Sequence, residues 1–337
     1  MDTGSDLVWM QCEGCTKCFD QTPKPFPAKN SSSFRPILIK TTPKPYNYTY
    51  ADGSTTNGIL GRETFYLRSK SGKLAKIPNI KFGCGLHNDM PYKSLIIGNK
   101  IAGIMGLGWN DLSFVKQLGS KINGKFSYCL PLLSGKTSNS YLKFGDDCKC
   151  LLKSTKKTPL YRINGTSPYF VDLQGISINK TRLKINPNVF AFNNSSGPGC
   201  IIDTGTPISR IKTPAFEILK QELEKHISRL KGLKRLSGCL GGLELCYERI
   251  KPEKGVDSLP EVTFHLRGSK ADFVMKTDAV FKFFDRDRAV GSRERLCLAM
   301  VSDDMMSIIG SRQQVNQMMT YDIKKSLLIF YQRDCAK

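Results

Sequence analysis

The sequence predicts a mainly β protein of two homologous β-rich lobes with a few short helices. Three observations support this prediction: the length of 337 residues, the many short apolar segments between turn residues, and a duplicated Asp-Thr-Gly motif. A chain of this length exceeds what one hydrophobic core commonly supports, so two domains are expected. Hydrophobic residues make up 40% and charged residues 24% of the chain, which is ordinary for a globular protein.

Short strands separated by Gly, Pro, Ser and Asn are predicted throughout the first half of the chain. Examples are 58–61, 65–67 and 141–144, each bounded by turn residues. A polar and basic stretch then precedes an alternating run at 169–178, which predicts further strands. We therefore place an N-terminal lobe at 1–160 and a C-terminal lobe at 161–337.

The clearest helix signal lies in the second half of the chain. Thr213 is a suitable N-cap, and Pro214 suits the first helical position. Apolar residues then recur on one face at helical spacing: Phe216, Leu219, Leu223, Ile227 and Leu230. The pattern predicts an amphipathic helix that packs on the C-terminal lobe.

The Asp-Thr-Gly motif is the strongest functional signal. Asp2-Thr3-Gly4-Ser5 recurs as Asp203-Thr204-Gly205-Thr206. At average residue frequencies one such tripeptide is expected about 0.07 times in a chain of this length, so two copies indicate an internal repeat. Apolar residues adjoin both copies, and an apolar-apolar-Gly segment lies downstream of each, within 102–108 and 307–310. Each copy is therefore predicted to be a loop at the end of buried strands.

Paired loops of this kind, each with its apolar-apolar-Gly segment, resemble the pepsin family of aspartic proteases. Within that family the chain is most similar to nepenthesin-like plant enzymes, through the segments 11–15, 124–130, 245–247 and 296–299. The resemblance implies a bilobal acid protease fold in which each lobe supplies one catalytic aspartate, here Asp2 and Asp203. It also implies an endopeptidase that acts on protein or peptide substrates at acidic pH without a cofactor or metal.

The resemblance implies roles for the residues around the two aspartates. The catalytic loops are completed by Thr3, Gly4, Ser5, Thr204, Gly205 and Thr206, of which Ser5 and Thr206 would hydrogen-bond the outer carboxylate oxygens. Tyr50 resembles the flap tyrosine, and Trp9 matches the tryptophan whose indole N–H holds the hydroxyl of that tyrosine. Two carboxylates a few ångströms apart cannot both ionise cheaply, so the pair is expected to share one proton and activate a water.

The twelve cysteines favour an oxidising, secretory compartment. The resemblance implies disulfides from Cys12 to Cys15, Cys18 to Cys84, Cys129 to Cys335 and Cys246 to Cys297. It leaves four cysteines unassigned: Cys148, Cys150, Cys200 and Cys239. An alternative hypothesis makes Cys12, Cys15 and Cys18 zinc ligands, because two-residue spacers suit a metal knuckle.

Six asparagines lie in glycosylation sequons: Asn30, Asn47, Asn164, Asn179, Asn193 and Asn194. Together with the cysteines they predict a glycoprotein that is secreted to the extracellular space or apoplast, or delivered to the vacuole. Met1 directly precedes Asp2. We therefore expect this chain to be N-terminally truncated, lacking a signal peptide and the N-terminal strands that the resemblance implies.

The formal net charge of +22 is unusual and arises partly from basic clusters within 149–157 and 225–235. Such a charge favours a polyanionic neighbour, for which an acidic polysaccharide is one candidate. We expect no nucleic acid partner, because no helix-turn-helix, zinc-finger or RNP-like signature is present. We expect no membrane partner, because no apolar run reaches the length of a spanning helix. A monomer is expected.

Two other classes of function stay open. A catalytically silent relative, such as the plant proteins of this fold that inhibit xylanases, would keep the fold without the activity, although both retained Asp-Thr-Gly motifs argue against it. A basic cell-wall-binding protein is the second alternative, favoured by the net charge. Serine or cysteine hydrolase chemistry has no motif support around His87, His226 and His265.

Overall fold

The structure is a computed structural model that describes residues 1–69, 71–91, 99–132, 140–148, 154–191, 199–250, 258–284 and 294–336. Strands dominate and helices are short, so the predicted mainly β class is confirmed. The chain divides into two compact units. The first is Met1–Gly119 with Gly165–Ser167, and the second is Ser120–Asn164 with Pro168–Lys337.

The first unit is built on one mixed sheet. The described strands of this unit are β1 (Val8–Gln11), β2 (Arg35–Pro36), β3 (Leu38–Ile39), β4 (Thr42–Pro43), β5 (Pro45–Thr49), β6 (Thr55–Arg68), β7 (Leu74–Asp89) and β8 (Gly103–Met105). The sheet order is β2-β6-β7-β1-β8 with β5 paired to β6, and β3 pairs with β4 separately. Helix α1 (Phe114–Leu118) begins after Ser113, whose side chain accepts from the Lys116 N–H as an N-cap.

The second unit contains the remaining described strands. They are β9 (Lys125–Cys129), β10 (Tyr141–Phe144), β11 (Lys156–Pro159), β12 (Tyr169–Val171), β13 (Leu173–Ile178), β14 (Thr181–Arg182), β15 (Cys200–Ile202), β16 (Ser209–Lys212), β17 (Leu233–Arg235), β18 (Cys246–Arg249), β19 (Val262–Leu266), β20 (Asp272–Met275), β21 (Phe281–Phe284), β22 (Arg295–Leu298), β23 (Met300–Asp303), β24 (Ser307–Ile309), β25 (Gln317–Asp322) and β26 (Leu327–Gln332). Its α-helices are α2 (Thr213–Ile227) and α3 (Thr277–Val280). Four short 3-10 helices also occur in the described chain: Gly119–Ile122, Gly145–Asp147, Pro187–Phe190 and Ser311–Gln314.

The described strands of the second unit form four sheets: β10-β9-β25-β26-β11, β12-β15-β24-β16-β23, β14-β13-β19-β20 and β17-β18-β22-β21. The first of them explains why the observed division differs from the predicted boundary near residue 160. Strands β9, β10 and β11 precede that boundary, yet β9 pairs with β25 and β11 with β26 near the end of the chain. Long-range pairing therefore assigns residues 120–160 to the second unit.

Helix α2 forms where the apolar periodicity predicts it, but its start differs. Lys212 is the N-cap, so Thr213 is the first helical residue and Pro214 the second. The predicted N-cap role of Thr213 is wrong, since Lys212 occupies that position, and the Thr213 hydroxyl donates to Asp304 Oδ1 at 2.5 Å. The helix buries the predicted face, Phe216, Leu219, Leu223 and Ile227, and it ends before Leu230.

Each unit repeats one strand arrangement around its Asp-Thr-Gly loop. In the first unit, β1 pairs in parallel with β7 and antiparallel with β8. In the second unit, β16 pairs in parallel with β23 and antiparallel with β24. Strands β1 and β16 each follow an Asp-Thr-Gly loop, and β8 and β24 each carry the downstream apolar segment. The sequence repeat is therefore a structural repeat.

Four disulfides join described cysteines: Cys12 with Cys84, Cys15 with Cys18, Cys129 with Cys335, and Cys246 with Cys297. The predicted pairs Cys12 to Cys15 and Cys18 to Cys84 are wrong. Cys84 lies on β7 beside β1, which places the Cα atoms of Cys12 and Cys84 5.5 Å apart, a separation suited to a disulfide. The zinc hypothesis is also wrong, because all three of its sulfurs are in disulfides.

Several other predicted positions can be placed. Within the described ranges, Cys200 and Cys239 form no disulfide. The sequon asparagines Asn30, Asn47, Asn164 and Asn179 are exposed. Cys150, Asn193 and Asn194 lie outside the described residues. None of the helices within the described parts of the chain has the length and apolar character needed to span a bilayer.

Candidate active site

The first Asp-Thr-Gly loop precedes β1 and holds Asp2 in a buried position, 8% exposed. The Gly4 N–H donates to Asp2 Oδ1 at 2.8 Å, and the Ser5 hydroxyl donates to Oδ2. The main chain of Asp2 is fixed as well, because its N–H donates to the Met105 carbonyl at 3.0 Å and its carbonyl accepts from Leu107 at 2.8 Å. The loop thus orients the carboxylate while the downstream segment fixes the backbone.

The second loop holds Asp203 in the same way. Asp203 follows β15 and is 8% exposed. The Gly205 N–H donates to Oδ1 at 2.7 Å, and the Thr206 hydroxyl donates to Oδ2 at 2.7 Å. Its own N–H donates to the Ile309 carbonyl at 3.0 Å. In both units, donors at the same two positions of the motif hold the carboxylate, and such donors stabilise its oxygens.

The apolar-apolar-Gly segments end in glycine for a steric reason. A Cβ at Gly106 would lie 2.3 Å from the backbone of Asp6, and a Cβ at Gly310 would lie 2.7 Å from the Thr206 carbonyl oxygen. Backbone atoms cannot move aside as a flexible side chain can. Glycine therefore allows each segment to pack directly against its Asp-Thr-Gly loop.

Tyr50 lies in the turn between β5 and β6. Its hydroxyl accepts from the Trp9 indole N–H at 2.7 Å, and Trp9 is only 1% exposed. The turn is closed by hydrogen bonds of Tyr50 with Gly53 and Ser54, and Gly53 adopts a positive φ of 83° that favours glycine. The Asp52 carboxylate accepts from the Ser54 N–H at 3.0 Å. A defined turn thus presents a tyrosine that is anchored on the core tryptophan.

A buried hydrogen-bond network adjoins the backbone of Asp203, and the sequence did not predict its residues. Gln314 is fully buried, and its amide donates to the carbonyls of Ile309 at 2.8 Å and Asp203 at 3.3 Å. The Tyr128 hydroxyl donates to Gln314 Oε1 and lies 3.1 Å from the Tyr321 hydroxyl. Burial raises the pKa of Tyr128 well above its usual value, so this hydroxyl stays neutral. In the sequence, this network is marked by the pair Gln313-Gln314, which lies shortly after the apolar strand β24.

Ser177, His265 and Asp272 form a hydrogen-bonded chain that the sequence also did not reveal. His265 Nε2 lies 2.6 Å from the Ser177 hydroxyl, and its Nδ1 lies 2.6 Å from Asp272 Oδ1. The order matches a nucleophile, base and orienting carboxylate. However, Ser177 lies within the paired strand β13 and is 3% exposed, which shields its hydroxyl from a substrate. We therefore interpret the chain as satisfying buried polar groups.

Comparisons with known proteins place this geometry in a family. Residues 38–146 match the family model described as "Xylanase inhibitor N-terminal", and residues 168–332 match "Xylanase inhibitor C-terminal". The chain is 33% identical to aspartic proteinase nepenthesin-1 of Nepenthes gracilis over 352 residues, covering 100% of this chain and 74% of that protein. The chain belongs to the pepsin-like aspartic protease family.

Two further comparisons, one with a curated protein and one with a solved structure, agree with this family and fold. Nepenthesin-2 of Nepenthes gracilis is 31% identical over 354 residues, which covers 100% of this chain and 74% of that protein. The crystal structure of edgp matches with a TM-score of 0.74 and 17% identity, covering 99% of this chain and 87% of that one. At that identity the second likeness shows the fold alone. The predicted pepsin-like fold is confirmed.

Membership of the pepsin-like aspartic protease family makes the two Asp-Thr-Gly loops the candidate catalytic groups. The family model for the second half of the chain includes Asp203, whereas Asp2 precedes the first residue matched by the other model. The catalytic roles of Asp2 and Asp203 and the flap role of Tyr50 stay predictions. The structure brings together the donors around each aspartate and the Trp9 to Tyr50 contact.

Proposed function

We propose that this chain is an aspartic-type endopeptidase that hydrolyses peptide bonds in proteins at acidic pH, with Asp2 and Asp203 as its catalytic carboxylates. One observation carries the proposal. Each carboxylate accepts from the glycine N–H two positions on and from the hydroxyl three positions on. Two loops with the same donors indicate that both aspartates are kept for the same chemical purpose, and family membership supports that purpose.

The proposed reaction consumes one water for each peptide bond. One carboxylate, ionised, takes a proton from the water as its oxygen attacks the peptide carbonyl. The other carboxyl group, protonated, donates to the developing oxyanion, and a proton then reaches the leaving nitrogen. The products are a new carboxyl group and a new amine. Because the glycine and hydroxyl donors orient each carboxylate beforehand, little reorganisation is needed during the reaction.

We propose that Tyr50 is the flap residue of this reaction. Its hydroxyl is held by Trp9 at 2.7 Å, which restricts the ring before substrate binds. Closure of the turn over an extended peptide would exclude water and strengthen the electrostatic terms of the reaction.

Cleavage of an unfolded protein substrate between about pH 3 and pH 5 tests the proposal. The wild type should cleave, pepstatin should block cleavage, and Asp203→Asn should abolish it. Asp322→Asn is the matched control, because Asp322 is 2% exposed but lies on β25, where it accepts from the Lys325 N–H. If the folded wild type cleaves nothing, or if Asp203→Asn remains active, the proposal is rejected.

The description of the matching family models favours one alternative, a catalytically silent pepsin-fold binding or inhibitor protein. In that case the chain should lower the activity of a xylanase in a mixed assay, and Asp203→Asn should do so equally well. Loss of proteolysis in the variant together with unchanged xylanase activity in both mixtures would support the endopeptidase instead.

We further propose a secreted glycoprotein, in the apoplast or the vacuole, that can bind acidic polysaccharide. The disulfides and the exposed sequon asparagines support secretion. Exposed Arg229, Lys231 and Lys234, near the end of α2, support the polysaccharide. Protein expressed through a secretory pathway should lose mass on treatment with an N-glycosidase, and it should elute from immobilised pectin as salt is raised.

A further inference from the structure

Asp6 is a buried carboxylate that the proposed reaction does not use. It follows Ser5 in the first catalytic loop and is 6% exposed. Asn110 donates to it twice, from its N–H to Oδ1 at 2.9 Å and from its side-chain amide to Oδ2 at 2.8 Å. The Ser167 hydroxyl also donates to Oδ2. No ion pair among the described residues includes Asp6, so the hydrogen bonds to its side chain come from neutral donors.

These donors come from segments that are distant from Asp6 in the sequence. Asn110 lies 104 residues downstream, and Ser167 lies 161 residues downstream. The two segments also bind each other, because the Asn110 amide donates to the Thr166 carbonyl at 3.2 Å and the Trp109 N–H donates to the Ser167 carbonyl at 3.1 Å. The Asp6 carboxylate therefore joins three parts of the first unit.

One path leads from Asp6 to the catalytic aspartate. The Ser5 carbonyl accepts from the Gly108 N–H at 2.9 Å, and the Ser5 hydroxyl donates to Asp2. Asp6 packs closely on the same glycine, since a Cβ at Gly108 would lie 2.4 Å from Asp6 Oδ1. A shift of the Asp6 carboxylate would therefore move the segment against which the Asp2 loop is built.

A second path leads to Tyr50. The Asp6 N–H donates to the Tyr48 hydroxyl at 3.2 Å, and this hydroxyl is also hydrogen-bonded to Ser167. Burial raises the pKa of Tyr48, so its hydroxyl remains neutral. The ring centroids of Tyr48 and Tyr50 are 5.1 Å apart. Tyr48 therefore connects the Asp6 site to the flap.

We propose that Asp6 is a positioning residue, which fixes Asn110 and Ser167 beside the first catalytic loop and, through Tyr48, sets the position of Tyr50. The inference rests on the proposed endopeptidase function. A carboxylate suits this place because it only accepts hydrogen bonds, and Asn110 and Ser167 donate three of them to it. An asparagine would present its own amide N–H groups to these donors. The Asn110 side chain could rotate its amide oxygen toward these N–H groups only by losing its hydrogen bond to the Thr166 carbonyl.

The test compares Asp6→Asn with Glu63→Gln. Glu63 is a matched control, because it is 7% exposed, lies in the same unit on β6, and accepts from two serine hydroxyls and a backbone N–H. Both substitutions are isosteric and remove one buried charge. Asp6→Asn should lower kcat about 10- to 100-fold with a smaller change in KM, since a misplaced catalytic group costs rate more than binding. Ser167→Ala, which removes one donor, should give a smaller loss of the same kind.

Hydrogen exchange gives a readout that does not depend on activity. In Asp6→Asn, peptides covering 106–110 and 46–50 should exchange faster than in the wild type and in Glu63→Gln, which should match each other there. An active wild type whose kcat falls less than about twofold in Asp6→Asn would overturn the proposal. If the wild type is inactive, the endopeptidase proposal fails, and the exchange data decide alone: faster exchange supports the positioning role, and unchanged exchange overturns it.

Discussion

Replacement of Gln314 by methionine tests the buried network that holds the second Asp-Thr-Gly loop. Methionine is similar in volume to glutamine but can neither donate nor accept a strong hydrogen bond. The change removes the donor to the Ile309 and Asp203 carbonyls and the acceptor of the Tyr128 hydroxyl. It leaves the backbone of the Ser311–Gln314 turn in place.

The expected cost follows from these three contacts. The 2.8 Å bond to Ile309 and the bond from Tyr128 are each worth about 1 kcal/mol net, and the 3.3 Å bond to Asp203 less. The freed groups are not all left alone, since Ile309 still accepts from the Asp203 N–H and Tyr128 keeps the Tyr321 hydroxyl. The sum is a loss of about 2 to 3 kcal/mol in the free energy of unfolding.

Urea unfolding followed by circular dichroism measures this loss. Tryptophan fluorescence is unsuitable, because both tryptophans of the chain, Trp9 and Trp109, lie in the first unit. Gln332→Met is the control, since Gln332 is exposed with a 3.3 Å bond to Val274, and it should cost less than about 0.5 kcal/mol. A loss below about 1 kcal/mol in Gln314→Met would show that this network does not support the second Asp-Thr-Gly loop.

Two further substitutions test the packing and the polar chain of the second unit. Gly310→Ala should lower proteolytic activity at least about tenfold, because its Cβ would meet the Thr206 carbonyl at 2.7 Å and the loop must shift; peptidase assays that show an unchanged rate would contradict this. His265→Leu should destabilise the protein by about 1 to 3 kcal/mol, because the buried Ser177 hydroxyl loses its 2.6 Å partner. Urea unfolding should show that adding Ser177→Ala to His265→Leu recovers part of the lost stability. No recovery would argue against the interpretation that His265 satisfies the buried Ser177 hydroxyl.

The fold class and the geometry of the two Asp-Thr-Gly loops could be predicted because local sequence determines them. Asp2 and Asp203 are held by residues two and three positions away, and the apolar-apolar-Gly segments are visible as runs. The alternating run 169–178 likewise became β12 and β13. Periodicity and short motifs report such local relationships directly.

The features that the sequence did not reveal depend on pairing between distant strands. Cys12 bonds to Cys84 because β7 lies beside β1, a register that cysteine spacing does not report. The observed division of the chain differs from the predicted boundary near residue 160 because β9 pairs with β25, close to the end of the chain. The contacts of Asp6 could not be predicted from the sequence, because its partners, Asn110 and Ser167, are more than 100 residues away.

The proposed endopeptidase activity requires that Asp2 and Asp203 act together in acid proteolysis. The most direct test measures cleavage of one unfolded protein substrate at about pH 4 by the wild type, Asp2→Asn and Asp203→Asn side by side, with each variant shown to be folded. We expect cleavage by the wild type and a loss of at least about a thousandfold in each single variant, because the reaction needs one ionised and one protonated carboxyl group. Substantial cleavage by either variant would contradict it.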